Sequence, residues 1–293
     1  MNRLLYISAV LMFCITSISA QDLSFGFKAG LNFSRINTED IEQSGGVDLE
    51  SYSGNSGFHL GVVVSNKITD NFGVRGELLF SQKGGRYEFE GDSFMRLLTF
   101  TGDERFISQG FRDMNLNISN AYMDIPLMVY FKPVKWLELA AGANVAVLIS
   151  STGAGELIYR DQAQLEGDEF RGISLDYRYF NDEAGEALLE NGTEIRVING
   201  TSFEIPKTLQ AYFDYPEGAE TDLFNRIDFG VHASANIFIN RSLFLGLRFN
   251  YGFTDITNND VDRSLGEING TEFILRDDFD RNVSLQATIG FGF

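Results

Sequence analysis

Apolar and polar positions alternate with a period of two along eight separate stretches of this chain. In the first, Phe25, Phe27, Ala29, Leu31 and Phe33 are interleaved with Gly26, Lys28, Gly30 and Asn32. A helix would scatter Lys28 and Asn32 among the phenyl rings, whereas a strand puts the two classes on opposite faces. The same alternation sets Phe58, Leu60, Val62 and Val64 against His59, Gly61, Val63 and Ser65. It sets Phe72, Val74, Leu78 and Phe80 against Arg75, Glu77 and Ser81, and it recurs over 121–131, 137–149, 227–237, 243–253 and 283–293. Each stretch suits the roughly 9–11 residues of a tilted membrane strand.

The connections between these stretches fall into two classes that alternate. Short ones run over 66–71, 132–135 and 239–241, and long ones over about 36–57, 84–120, 150–225 and 254–281. No segment holds 18 uninterrupted apolar residues, so no helical span is predicted. The pattern instead predicts an all-β, antiparallel, up-and-down transmembrane β-barrel of eight strands, with short periplasmic turns and long extracellular loops. Inside the longest loop, Gly172 to Phe180 alternates again, and Asn199-Gly200 between two β-prone runs is a tight-hairpin signal, with Asn191-Gly192 and Asn269-Gly270 as weaker ones. These predict strands extended above the membrane and leave a ten-stranded barrel as the alternative.

Which face meets lipid follows from the residues themselves. The polar face is rich in glycine, as a crowded lumen requires. The apolar face carries rings at both limits, with Phe25, Phe72 and Phe131 at one and Phe33, Phe58, Phe80 and Phe253 at the other. Such rings match the aromatic girdles at the two membrane interfaces. The chain also closes on Phe293 at the end of an alternating strand, as outer-membrane barrels often do.

Composition adds location. Arg3 followed by the apolar run Leu4 to Ile18 and the small residues before Gln21 reads as a signal peptide over 1–20, leaving 21–293 as one barrel domain. The single cysteine, Cys14, falls in that leader, so no disulfide is expected. The formal charge of −18 sits in the loops: 151–225 holds 16 acids against 5 bases and 255–280 holds 8 against 2, for −11 and −6. That balance argues against nucleic acid as a partner.

Three segments carry a family likeness. Gly26-Phe27-Lys28-Ala29-Gly30-Leu31-Asn32-Phe33-Ser34 resembles the opening strand of the PorT-like outer-membrane β-barrel family of Bacteroidota, small barrels of the OmpA/OmpX kind. Tyr122-Met123-Asp124-Ile125-Pro126-Leu127 is similar to that family's fourth strand, and Tyr251-Gly252-Phe253-Thr254-Asp255-Ile256 to its penultimate one. The likeness covers about 23–150 and 226–293 and omits the long acidic loop. It implies the fold and the outer membrane. The family's named member is associated with type IX secretion, a role that these architectural motifs do not themselves specify.

By parity Glu77, Asp124, Glu138 and Asp228 face the lumen with Lys28, Arg75, Lys83 and Arg248. An eight-stranded barrel is just wide enough to be filled by side chains, and charges in so narrow a space pair or stay wet. A salt-bridged polar plug is the expectation, a narrow solute path the alternative. His59 and His232 also point inward, and with Asp124, Asp228, Ser65 or Ser234 they are the candidates for a hydrolase pair, a remote reading. Asn258, Asp260 and Asp262 have the spacing of a calcium loop's first ligands, but Arg263 stands where such a loop needs glycine and Asn269 where it needs glutamate. They read as acidic loop, holding divalent cations only loosely, as bridges to lipopolysaccharide.

The sequence thus predicts a non-enzymatic outer-membrane barrel without cofactor or bound metal, its acidic loops meeting the surroundings. A small passive pore and an accessory of protein secretion are the alternatives. Expected partners are outer-membrane lipid and lipopolysaccharide, the barrel-assembly machinery through the strand ending at Phe293, and a protein at the extracellular loops.

Overall fold

A strand with one greasy and one wet face cannot stand alone in a membrane, because every backbone N–H and C=O must be paired where no water reaches. The computed structural model, which describes residues 23–99, 105–161, 170–187, 192–198 and 201–292, meets that demand by closing a ring. Its strands are β1 (Leu23–Asn37), β2 (Asn55–Lys67), β3 (Phe72–Thr99), β4 (Arg105–Val134), β5 (Leu137–Asp161), β6 (Ile227–Phe238), β7 (Leu243–Gly252) and β8 (Arg281–Gly292). Each pairs antiparallel with the next, and β8 returns to β1 through a register that sets Phe27 opposite Phe291 and Leu31 opposite Ala287. The proposed leader over 1–20 and the terminal Phe293 lie outside the described residues.

The ring has eight strands, not ten. The alternating stretch of the long loop forms the strand Phe170–Arg178, but this pairs with the upper half of β5, from Thr152 opposite Arg178 to Tyr159 opposite Phe170. The lower half of β5 pairs directly with β6, from Val147 opposite Ile227 to Leu137 opposite Ile237. Both pairings share one strand at different heights, so the extra strand rises outside the ring.

The lipid face is as read from the sequence. Phe25, Phe27, Leu31, Phe33, Leu127, Phe229, Leu247 and Phe249 are exposed, while Lys28, Asn32, Asp124 and Arg248 are buried.

One expectation fails. The segment 84–120 is not a loop: β3 and β4 pair in constant register from Phe72 opposite Phe131 to Leu98 opposite Arg105. These strands of 28 and 30 residues far exceed a membrane crossing of about 9–11. Above the membrane their two faces exchange chemistry. On β3 the inward residues pass from Ser81 and Lys83 to Tyr87, Phe89 and Met95, while the outward ones pass from Leu78 and Phe80 to Arg86, Glu88 and Glu90. On β4, Asp124 and Tyr122 give way inside to Ile118, Leu116 and Met114, with Asn117, Asn115 and Asp113 outside. Solvent has replaced lipid, so the apolar side turns in. A bulge at Ile149, where Ala121 faces Ser150 but Tyr122 faces Leu148, marks the crossover on β5.

These extensions form an extracellular lobe. The strand Glu50–Ser53 adds to β3 with Glu50 opposite Phe89. The hairpin Thr193–Ile198/Thr201–Pro206 joins the tip of β3 through Phe203 opposite Thr99. Its turn residues Asn199 and Gly200 lie outside the described residues, as does Asn191. A second hairpin, Arg263–Asn269/Glu272–Leu275, turns at Gly270 with φ +64°, a left-handed conformation that glycine adopts without strain. Inside, Tyr87, Phe89, Met114, Leu116, Leu157, Leu175, Tyr179, Tyr212, Phe224 and Ile256 pack into one buried core over the barrel mouth.

Candidate functional site

The lumen holds two ionic knots in line along the barrel. In the first, Glu77 on β3 receives Lys28 Nζ at 2.6 Å from β1 and Arg248 Nη2 at 2.7 Å from β7. In the second, Arg75 donates both guanidinium nitrogens to Glu138 on β5 at 2.6 and 2.9 Å, while Asn236 Nδ2 reaches the same carboxylate at 2.8 Å. Lys132 adds a further contact to Glu138 at 3.4 Å. The Glu77–Arg248 contact ties β3 to β7 on the opposite wall, and the others join nearer strands, so that side chains fill the bore as they do in small barrels.

Higher up, Lys83 donates to Asp124 at 2.9 Å and lies 4.7 Å from the Tyr122 ring centre. Asp228 accepts from Thr254 Oγ1 at 2.8 Å and from Asn282 Nδ2 at 2.9 Å. All nine sequence-selected lumen residues, His232 included, are buried.

Among the described residues, neither histidine is brought to a carboxylate or a serine. His59 sits between Asn32 Oδ1 at 2.7 Å and Thr288 Oγ1 at 2.9 Å. His232 has no hydrogen-bond partner at either ring nitrogen. Asp124 and Asp228, their supposed partners, are engaged as described above. General-base chemistry needs the base within hydrogen-bond reach of the group that it activates, and neither histidine has that contact.

A second site lies in the lobe, in residues that the sequence reading assigned to loop. A cavity of about 130 Å³ opens above the barrel mouth, walled by Tyr52, Tyr87, Met95, Met114, Leu116, Tyr177, Tyr179, Tyr212 and Tyr215 with Arg112, Asp214, Arg263 and Asp280. The rings meet edge to face, with Tyr179 against Phe224 at 4.8 Å and Tyr212 against Tyr215 at 5.5 Å, the arrangement that the ring quadrupole favours. Tyr212 donates to Tyr179 O at 2.9 Å and accepts from Leu223 N at 3.1 Å. Burial pushes the Tyr52, Tyr87 and Tyr179 hydroxyls well above the ordinary phenol value, so they stay neutral.

Charge in this wall is unevenly matched. Asp214 is shared by Arg263 at 2.9 Å and Arg112 at 3.9 Å. Arg276, in contrast, faces several acids: it pairs with Glu50 at 2.8 Å and with Asp278 at 2.7 Å, while Asp262 and Asp280 stand close by. Burial pushes Asp262 up to about 7 and Asp280 up to about 6, the latter helped by the neighbouring Asp278. Of the calcium-like triplet read from the sequence, only Asp262 joins this group. Asn258 instead caps its own turn, its Oδ1 accepting from Asp260 N at 3.2 Å.

A model of the outer membrane protein beta-barrel domain family matches residues 19–258. Among solved structures the chain is similar to Ail, the attachment invasion locus protein of Yersinia pestis, at 11% identity over 92% of this chain and 98% of that one, with TM-score 0.35. It is similar to the outer membrane protein OprG from Pseudomonas aeruginosa at 9% identity over 92% and 95%, with TM-score 0.32. It is also similar to the outer membrane protease OmpT from Escherichia coli at 8% identity over 94% and 98%, with TM-score 0.29. Likenesses this distant say nothing of what this chain binds or does. No curated protein matches it.

Proposed function

The chain belongs to the outer membrane protein beta-barrel domain family, and from that premise we propose that it is a non-enzymatic, non-conducting barrel whose folded acidic lobe is the working part. The observation that carries this reading is the pair of knots across the bore. Lys28, Glu77 and Arg248 meet from β1, β3 and β7, and Arg75 and Glu138 from β3 and β5, with every distance at or below 2.9 Å. A conducting path needs water to replace such contacts, and each buried charge so uncoupled costs several kcal/mol.

The lobe supports a role at the cell surface. It offers a formed cavity of about 130 Å³ lined mainly by rings and aliphatic side chains, a volume that suits one small apolar or aromatic group. Its net negative outer face suits contact with lipopolysaccharide through divalent cations, or with a protein partner. The PorT-like segments at 26–34, 122–127 and 251–256 support a place in that subgroup, and with it the leader over 1–20 and insertion through the terminal strand.

The test is a planar-bilayer recording of the purified, refolded protein. Negligible conductance is expected, and large steady channels would refute the reading. If the protein instead serves secretion, deleting its gene blocks export of secreted cargo while the recordings stay silent.

A further inference from the structure

Three carboxylates from two turns converge on the wall of the lobe. One oxygen from each of Asp262, Asp278 and Asp280 lies within 4.8 Å of the others. Asp278 and Asp280 are only 6% and 3% exposed. Asp278 has no hydrogen bond at either oxygen, and Asp280 has none at Oδ1. The nearest cation, Arg276 at 2.7 Å from Asp278, is held on both of its terminal nitrogens by Glu50, at 3.0 and 2.8 Å. One guanidinium therefore faces four carboxylates.

Asp255 adds no relief, since its Oδ1 accepts from Asp280 N at 3.1 Å and a carboxylate oxygen offers its neighbours no donor. Thr257 Oγ1 donates to Asp280 Oδ2 at 3.1 Å and Arg263 N to Asp262 Oδ1 at 2.9 Å, which leaves both Asp278 oxygens and Asp280 Oδ1 without a hydrogen bond. Crowded carboxylates repel each other, and these buried oxygens lack the partners that burial demands. Among the described residues, Arg276 is the one side-chain cation paired with Asp278.

We propose that Asp262, Asp278 and Asp280 bind one divalent cation, calcium by preference, as a clamp on the last extracellular loop. A calcium ion keeps its oxygens at about 2.3–2.6 Å, so ligands on opposite sides of it stand about 5 Å apart. The three oxygens, all within 4.8 Å of one another, fit inside that span. The donors are all oxygen, which favours a hard cation over zinc or copper. Asn259, whose Nδ2 donates to Asp278 O at 3.1 Å, brings a further buried oxygen without a partner, Oδ1, to the same turn. The cation joins the 257–263 turn to the segment entering β8, and through Arg276 and Glu50 to the strand on β3. Asp262 and Asp280 also line the aromatic cavity, so the ion forms part of its wall. The assignment stands on these carboxylates and is independent of whether the lumen conducts.

The test uses the full mature chain refolded in detergent, stripped with EDTA, and titrated with TbCl3 and then CaCl2. Terbium emission excited through the nearby tyrosines is expected to saturate at one ion per chain and to be displaced by calcium. Asp278→Asn is expected to weaken binding at least tenfold, and Asp262→Asn, at a residue only half-buried and so with less risk to folding, to do the same. Asp113→Asn, exposed on the outward face of β4, leaves the titration unchanged. Heat-modifiable migration on gels verifies that each barrel has formed. An unsaturable titration, or equal losses in the Asp113 and Asp262 variants, would mean diffuse binding by acidic residues and would overturn the proposal.

Discussion

Replacing Glu77 by glutamine keeps the volume of the side chain and removes the one anion that holds Lys28 and Arg248. Both cations lie within 2.7 Å of it and are buried with it. The loss leaves two positive charges facing each other across a narrow bore, with no second carboxylate bonded to either. Removing one partner of a buried pair costs about 3–5 kcal/mol, because the orphaned charge keeps its desolvation penalty. The exposed Lys67–Asp70 pair has a comparable distance of 2.7 Å but loses little on breakage, since water already screens it. Urea unfolding in lipid vesicles, read from the sole tryptophan, Trp136, measures both. Glu77→Gln should lower stability by about 3 kcal/mol or more, Asp70→Asn should leave the midpoint where it was, and Lys28→Met with Glu77→Gln should recover part of the loss. A Glu77→Gln protein as stable as the parent would show that the lumen is wet and the knot immaterial.

Other consequences follow from the same structure. Leu127, 62% exposed on the lipid face, changed to arginine should cost about 2–4 kcal/mol if it sits near the bilayer midplane; vesicle-based unfolding gives the value, and a neutral result would put that face in water. Tyr212→Phe removes a donor to Tyr179 O and an acceptor for Leu223 N, so the lobe should lose about 1–3 kcal/mol and be cut faster by chymotrypsin while the barrel's gel shift is unchanged. In EDTA, the raised values of Asp262 and Asp280, about 7 and about 6, mean that the folded lobe favours the protonated carboxyls. Their stabilising increment is whole below the ordinary carboxylate range and is lost as pH rises through 6 to 7, so near-ultraviolet circular dichroism should show a higher lobe melting temperature at pH 5 than at pH 8. The opposite order would refute it.

The membrane half of the fold was legible because lipid and lumen impose opposite demands on neighbouring residues. Phe27 against Lys28, Leu78 against Glu77 and Ile125 against Asp124 each declare a face, and the phase of one strand fixes its partners. The lobe was not legible for the same physical reason run in reverse. Beyond Lys83 the greasy residues Tyr87, Phe89 and Met95 keep the inward phase that had been polar, and the outward phase turns charged at Arg86 and Glu88. A search for one continuous apolar stripe ends there and reports a loop, whereas two phases in succession describe one strand leaving a membrane.

The acid group was hidden by distance along the chain. Arg276 answers to Glu50, 226 residues away, and the local triplet Asn258, Asp260 and Asp262 drew attention to a spacing whose first member only caps a turn. Hairpin chemistry transferred better: Gly270 turns where its dipeptide indicated.

The exchange of faces along β4 can be measured directly. Single cysteines placed at 113, 115, 117, 125, 127 and 129 of a chain whose one native cysteine is changed, Cys14→Ser, take a nitroxide label that reports collisions with oxygen from lipid or with a nickel chelate from water. Positions 125, 127 and 129 should favour oxygen and 113, 115 and 117 nickel, with the change between 117 and 125. Oxygen preference at all six, or nickel preference at 125 to 129, would contradict a strand that leaves the bilayer and turns its apolar side inward.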